Sequence, residues 1–129
     1  MVMLCAPAAA DPLRVEITPA TLTWKQKTKV DVVLKVSNPS KRKMDLKVMT
    51  CSWEDHWKSS EADLTWESWG CDKNYPGVFT LEPGQSREWT LPMFARATLK
   101  PGAYPLTMTF TPGNLAPSKS NTVTITVTR

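Results

Sequence analysis

Alternation of apolar and polar residues is the feature that most constrains the fold of this 129-residue chain. A period of two is typical of strands with one buried face, and no segment shows the 3.6-residue period of an amphipathic helix. The clearest run is Val30, Val32, Leu34 and Val36, which ends at the turn-forming residues Asn38-Pro39-Ser40. Similar runs are centred on Val15, Trp24, Leu46, Phe79, Leu91, Leu106 and Ile125. The pattern predicts roughly seven or eight short strands.

Strands of this kind can bury their apolar faces only against a second sheet. The sequence therefore predicts an all-β protein, an immunoglobulin-like two-sheet antiparallel β-sandwich, with a closed barrel as the alternative. Residues 11–129 are expected to form this single domain, with a long insertion between Cys51 and Cys71. Pro92 interrupts one alternating run, so we expect that strand to lie at a sheet edge or to contain a bulge.

Three turn motifs resemble those of a known family. They are Val36-Ser37-Asn38-Pro39-Ser40, Leu81-Glu82-Pro83-Gly84-Gln85-Ser86 before Trp89, and Leu99-Lys100-Pro101-Gly102-Ala103-Tyr104 before Leu106. In this order the chain resembles the bacterial intracellular proteinase inhibitor domain of the BsuPI type and related exported immunoglobulin-like domains. The resemblance implies a non-enzymatic sandwich. It does not imply proteinase inhibition, because the segment between the cysteines departs from the family pattern.

The amino-terminal residues 1–10 end in Ala8-Ala9-Ala10, a small-residue pattern of the kind that precedes signal-peptide cleavage. We interpret them as the remnant of a signal peptide, with a disordered terminus as the alternative. The rest of the sequence contains no apolar run long enough to predict a membrane span. The protein is accordingly expected to be periplasmic or secreted.

Export would leave Cys51 and Cys71 as an even pair in an oxidising compartment, once Cys5 is removed with the signal peptide. This favours a disulfide between them. If Leu46 and Val48 face the core, strand parity places Met49 and Cys51 on the opposite face. The bond is then expected to pin the insertion to the outside of a sheet, with a bulge near Met49, which would reverse the parity, as the alternative.

The Trp-rich segment, residues 51–72, contains four of the six tryptophans and the only histidine. Its six acids and one base give a net charge of −5, although the whole chain carries +4. Aromatic faces beside carboxylates suit a protein with basic residues or a carbohydrate. We expect two of the four rings to be buried and two partly exposed. The predicted binding residues are Trp53, Trp57, Trp66, Trp69, Glu54 and Asp55.

The alternative for this segment is a metal site. Met49, Cys51, His56 and Cys71 supply thioether, thiolate and imidazole, which together suit copper(I) and would make the protein a periplasmic copper-binding or copper-carrier protein. Calcium is less favoured, because the acids lack the regular spacing of a calcium loop.

Catalysis and nucleic-acid binding are both disfavoured by the residue patterns. Asp55 and His56 are adjacent, and neighbours in sequence rarely form the oriented pair that activates a nucleophile. The basic residues are scattered, which disfavours a nucleic-acid partner. The sequence thus predicts a non-enzymatic extracytoplasmic binding module without a cofactor, with a protein or carbohydrate partner.

Overall fold

The computed structural model describes residues 11–129, so the expectations for residues 1–10, including Cys5, lie outside the described part of the chain. Within it the chain is built from short strands and a 3-10 helix, Trp53–His56. The strands are β1 (Arg14–Pro19), β2 (Thr23–Lys25), β3 (Val30–Ser37), β4 (Met44–Met49), β5 (Trp57–Ser59), β6 (Leu64–Thr65), β7 (Pro76–Leu81), β8 (Ser86–Ala95), β9 (Gly102–Leu106), β10 (Met108–Phe110), β11 (Ser118–Lys119) and β12 (Val123–Thr128).

The first layer is a four-stranded antiparallel sheet in the order β1-β3-β8-β6. Its longest pairing joins β3 to β8, from Val30 opposite Met93 to Ser37 opposite Ser86. The turn after β3 is closed by Asn38, whose side-chain amide donates to the backbone oxygens of Arg42 and Leu81. The alternating residues of β3 that the sequence predicts as core are all buried.

The second layer is organised around β9 and β10, which follow each other with a break at Thr107. β9 pairs with β12, and β12 pairs in parallel with β2. β10 lies between β5 and β11. The chain beyond β10 reaches β4, where the Gly113 N–H donates to the Lys47 oxygen at 2.8 Å. β4 in turn pairs with β7.

The core lies between these layers. Leu34 and Leu91 contribute to it from the first layer, and Leu106, Phe110 and Ile125 contribute from the second. Each is fully buried, and burial of a side chain of this size is worth roughly 2 kcal/mol. The predicted all-β sandwich is therefore confirmed, and no helix in the described residues is long and apolar enough to cross a membrane.

The strand with Pro92, β8, lies between β3 and β6, so it is an edge strand over only part of its length. β6 pairs only with Phe94 and Ala95, so at Pro92 one side of β8 has no strand partner among the described residues. A residue without an N–H is tolerated at such a position since it removes no bond from the ladder.

The insertion between Cys51 and Cys71 is also different from the expectation, because it is built into both layers instead of lying on the outside of one sheet. β5 joins the second layer through β10, and β6 joins the first through β8. Trp57 and Leu64 consequently belong to the core. β5 has three residues and β6 has two, which is too few to show an alternating pattern.

Candidate functional site

The predicted disulfide between Cys51 and Cys71 is confirmed, with the two Cα atoms 6.0 Å apart. A side chain just beyond the second cysteine holds the start of the closed segment. The Asn74 Oδ1 atom accepts the N–H groups of Cys51 at 3.1 Å and Ser52 at 3.2 Å. Its Nδ2 atom donates to the Ser52 hydroxyl at 2.7 Å. Asn74 was not identified from the sequence, where one asparagine in a polar stretch carries no distinguishing signal.

The side-chain parity of β4 agrees with the sequence interpretation. Leu46 and Val48 are fully buried, whereas Met49 is half-buried on the alternate face, opposite Pro76 of β7. Met49 therefore lies outside the main core, as the alternation predicts.

A continuous series of aromatic rings leads from Trp69, beside the disulfide, to the core. Trp69 contacts Trp53 at a centroid distance of 5.2 Å, and Trp53 stacks on Trp89 at 6.0 Å with an interplanar angle of 29°. Trp89 lies 6.3 Å from Trp57, and Trp57 lies 4.7 Å from Phe110. Such pairs contribute about 1 kcal/mol beyond the area that they bury, so the series fixes the surface rings relative to the core.

The four tryptophans of the segment have different exposures. Trp57 is only 4% exposed, so its expected contact with a partner does not fit this position. It pairs with Phe110 across β5 and β10, which directs its ring inward. Trp53 and Trp66 are half-buried against the core. Trp69 is 36% exposed, and its indole N–H donates to the Cys51 oxygen at 2.9 Å. One ring is thus buried, two are half-buried and one is exposed, where two buried and two partly exposed rings were expected.

Two exposed apolar side chains outside the predicted binding residues lie in the chain after Cys71. Tyr75 is 62% exposed, and it is held against the start of the segment by backbone bonding with Thr50. Val78 is also exposed and lies on the outer face of β7. The exposure of Val78 could have been predicted from the alternation of β7, because its neighbour Phe79 packs against the core. We call Trp69, Tyr75 and Val78 the apolar surface.

The acids of the Trp-rich segment do not form one anionic surface. Asp63 pairs with Arg96 at 3.8 Å, and Glu67 pairs with Lys29 at 3.9 Å, so scaffold cations compensate both carboxylates. These pairs are exposed and contribute little to stability. Asp55 is exposed, as expected for a binding residue.

Glu54 is buried, with 1% of its surface exposed, because the 3-10 helix directs it inward. Its expected role as a surface acceptor does not fit this position. Burial raises the pKa of the Glu54 carboxyl, and the charge of Asp55 adds to the increase. A hydrogen bond to its own backbone and the charge of His56 act in the opposite direction. Among the described residues, neither Glu54 Oε2 nor the Trp57 indole nitrogen has a hydrogen-bond partner.

The ligand set expected for copper does not fit this arrangement. The His56 Nε2 atom accepts the Met49 N–H at 3.0 Å, and the Nδ1 atom lies 2.9 Å from the Thr111 oxygen. This pattern requires the neutral ring to carry its proton on Nδ1, and it occupies both nitrogens. The two cysteine sulfurs are joined in the disulfide and offer no thiolate. Across residues 11–129, no three His, Cys, Asp or Glu side chains are grouped to hold a metal ion.

Comparison with known proteins gives no family for the chain. No family model and no curated protein matches the sequence. Among solved structures, the crystal structure of the cupredoxin domain of amoB from Nitrosocaldus yellowstonii matches 91% of this chain and 87% of that chain. The two share 14% sequence identity, and the TM-score is 0.49. A likeness of this size assigns no function.

Proposed function

We propose that the protein is a non-enzymatic extracytoplasmic binding module whose partner contacts the apolar surface of Trp69, Tyr75 and Val78. Trp69 and Tyr75 lie beside the disulfide, and Val78 lies on the outer face of β7, opposite Lys47 of β4. Trp69 contacts Cys51 through its indole N–H, and Tyr75 is bonded to the residue that precedes Cys51. The proposal moves the contact surface beyond the Trp-rich segment and removes Trp57 and Glu54 from it.

The position of Trp69 carries the proposal. Its ring is exposed, yet a hydrogen bond to Cys51 and the contact with Trp53 hold it in place. A binding site loses less entropy when its aromatic side chains are already ordered, and tryptophan is among the residues that contribute most to interface energy. An exposed tryptophan that is held from two sides is therefore well suited to contact a binding partner.

The neighbouring residues favour a protein partner over a carbohydrate. The Trp69 indole N–H is already used by Cys51, so the ring offers a partner its apolar face. Tyr75 and Val78 are further exposed apolar side chains in the chain after Cys71. Aromatic side chains are enriched in the buried cores of protein interfaces. Asp55 and Asp72, both exposed, supply polar groups in the same part of the sequence.

The proposed location is the periplasm or the exterior of the cell. The disulfide supports it, because such bonds persist mainly in oxidising compartments. The resemblance to BsuPI-type and related exported immunoglobulin-like domains stays a prediction, and it agrees with a non-enzymatic role.

Site-specific photocrosslinking tests the proposal. A photoreactive phenylalanine analogue replaces Tyr75 in one variant and Leu22 in the other. Both positions are exposed, and Leu22 lies next to β2, outside the apolar surface. In an extracytoplasmic extract of the producing organism, only the Tyr75 variant is expected to form a defined adduct.

The captured protein is then purified and its affinity measured. Trp69→Ala is expected to weaken binding by about 2 kcal/mol, and Leu22→Ala is expected to leave it unchanged. Equal crosslinking at both positions, or full affinity of Trp69→Ala, would remove the apolar surface as the contact site. Binding of a polysaccharide but of no protein, again sensitive to Trp69→Ala, would instead identify the partner as a carbohydrate.

A further inference from the structure

The outer face of the second layer contains a groove that is separate from the apolar surface. It has a volume of about 650 Å³, and its lining includes Lys58, Ser60, Thr107, Thr109, Lys119 and Thr122. This volume lies within the range of natural small-molecule sites. Lysine, serine and threonine side chains supply all of its lining, so the groove differs in chemistry from the aromatic end of the molecule.

The centre of the groove is a row of three side chains across β5, β10 and β11. Thr109 of β10 is the register partner of both Lys58 and Lys119. Directly opposed residues project from the same face of a sheet, and the flanking residues Met108 and Phe110 are buried in the core. The two lysines therefore emerge on the outer face on either side of Thr109, with backbones about 10 Å apart.

The ammonium groups of this row form no ion pair within the described chain. The ion pairs of residues 11–129 join other side chains, and none includes Lys58 or Lys119. The one carboxylate bonded to this row is that of Asp11, which accepts the backbone N–H of Lys119 at 2.9 Å within the described chain. The two lysines place two positive charges on the same face of the sheet, and an anion between them would be attracted to both.

Several hydroxyl groups around the row have O–H donors that are not used in hydrogen bonds within the described chain. No hydrogen bond within the described chain engages the Thr109 side chain. Ser60 Oγ accepts the Thr107 N–H at 2.9 Å, which leaves its own O–H free to donate. Thr107 and Thr122 hydroxyls share one hydrogen bond of 2.6 Å, so one of their two protons is also free. The groove thus offers hydroxyl donors beside the two ammonium groups.

We propose that this groove binds a saccharide carrying an anionic group, which lies between Lys58 and Lys119 above Thr109. Charge-assisted bonds from two lysines are the recognition expected for a sulfate, phosphate or carboxylate. The groove is larger than a single oxyanion, and its rim of hydroxyls matches the hydroxyl groups of a sugar ring. The site is independent of the proposed partner surface, so either can fail without the other.

Calorimetric titration of the full chain tests the groove. The probes are a sulfated heparin disaccharide, glucose 6-phosphate and glucuronic acid, with maltose as the neutral sugar and sodium sulfate as the oxyanion alone. At least one anionic saccharide is expected to bind, maltose is not, and sodium sulfate is expected to bind at least tenfold more weakly. The ranking of the three anionic probes identifies which group the lysines prefer.

Variants locate the binding. Lys58→Gln and Lys119→Gln are each expected to weaken it about tenfold, and Thr109→Val less, while Lys41→Gln in the turn after β3 serves as the matched control. All four positions lie on the surface of the fold, and circular dichroism confirms folding. Absence of binding by every anionic saccharide, equal affinity for sodium sulfate, or an equal loss in Lys41→Gln would overturn the proposal.

Discussion

At the scale of single residues, the buried position of Glu54 disfavours ionisation of its carboxyl group. Its folded-state pKa is raised by burial above the ordinary value of 4.5, so the folded protein binds this proton more tightly than the unfolded chain does. The resulting loss of stability is absent below pH 4.5 and grows as the pH rises towards the folded-state pKa. Above that pKa it is fully present.

Glu54→Gln removes the charge and keeps the shape. We expect its free energy of unfolding to exceed that of the wild type at pH 7 and the difference to shrink as the pH falls below 4.5. Urea unfolding of both proteins between pH 3 and pH 8 measures this, with Glu88→Gln on the exposed side of β8 as the control. Lower stability of Glu54→Gln at every pH would show that the carboxylate makes a favourable contact instead.

Trp57 and Trp69 form a matched pair of aromatic residues with opposite roles. Trp57→Ala empties a core position beside Phe110 and is expected to lower the free energy of unfolding by about 3–5 kcal/mol. Trp69→Ala removes an exposed ring and one hydrogen bond, for a cost of about 1 kcal/mol. Chemical denaturation followed by circular dichroism compares the two variants. Equal losses would mean that Trp69 is as much a part of the core as Trp57.

His56 connects three parts of the chain through its two ring nitrogens. It holds the 3-10 helix to β4 at Met49 and to the chain after β10 at Thr111. His56→Ala leaves a backbone donor and an acceptor without this partner and is expected to lower the free energy of unfolding by about 1–3 kcal/mol. Thermal unfolding measures the loss, and an unchanged midpoint would contradict the structural role.

A copper(I) competition titration tests whether His56 is a copper ligand. Because the ring nitrogens are occupied and the sulfurs are bonded, the oxidised wild type is expected to take up no more copper than His56→Ala does. Specific uptake that disappears in His56→Ala would restore the copper-carrier alternative.

At the scale of structural elements, the disulfide closes a segment that already has sheet partners. Cys51→Ser combined with Cys71→Ser is expected to lower the free energy of unfolding by about 3 kcal/mol, as chain entropy predicts for a sequence separation of 20. β5 and β6 are expected to stay paired, since Phe110 and Ala95 hold them independently. Urea unfolding gives the loss of stability, and loss of the β5 amide signals from the native spectrum would contradict the retained pairing.

The elements that could be predicted are those whose burial alternates over enough residues. β3 and β4 meet this condition, and their core residues are those that the alternation indicates. β5 and β6 do not, because neither strand contains more than three residues. The same limit affects the candidate site. Composition locates the aromatic residues, but only tertiary contacts separate buried Trp57 from exposed Trp69.

At the scale of the whole molecule, the Trp-rich segment links the two layers of the sandwich. Its acidic residues form one block in the sequence, with a net charge of −5 for the segment. In the fold they occupy buried, ion-paired and exposed positions. The central claim is that this segment is part of the sandwich and, as such, holds Trp69 in a fixed position for a partner.

Amide hydrogen exchange measured by NMR tests that claim most directly. The Ser60 N–H donates to the Thr107 oxygen at 2.9 Å, and the Thr111 N–H donates to the His56 oxygen at 2.8 Å. Both amides are expected to exchange as slowly as those of the β3–β8 pair, through global unfolding. Exchange within about tenfold of unstructured-chain rates at Ser60 and Thr111, with β3 and β8 still protected, would show that the segment opens as a separate loop.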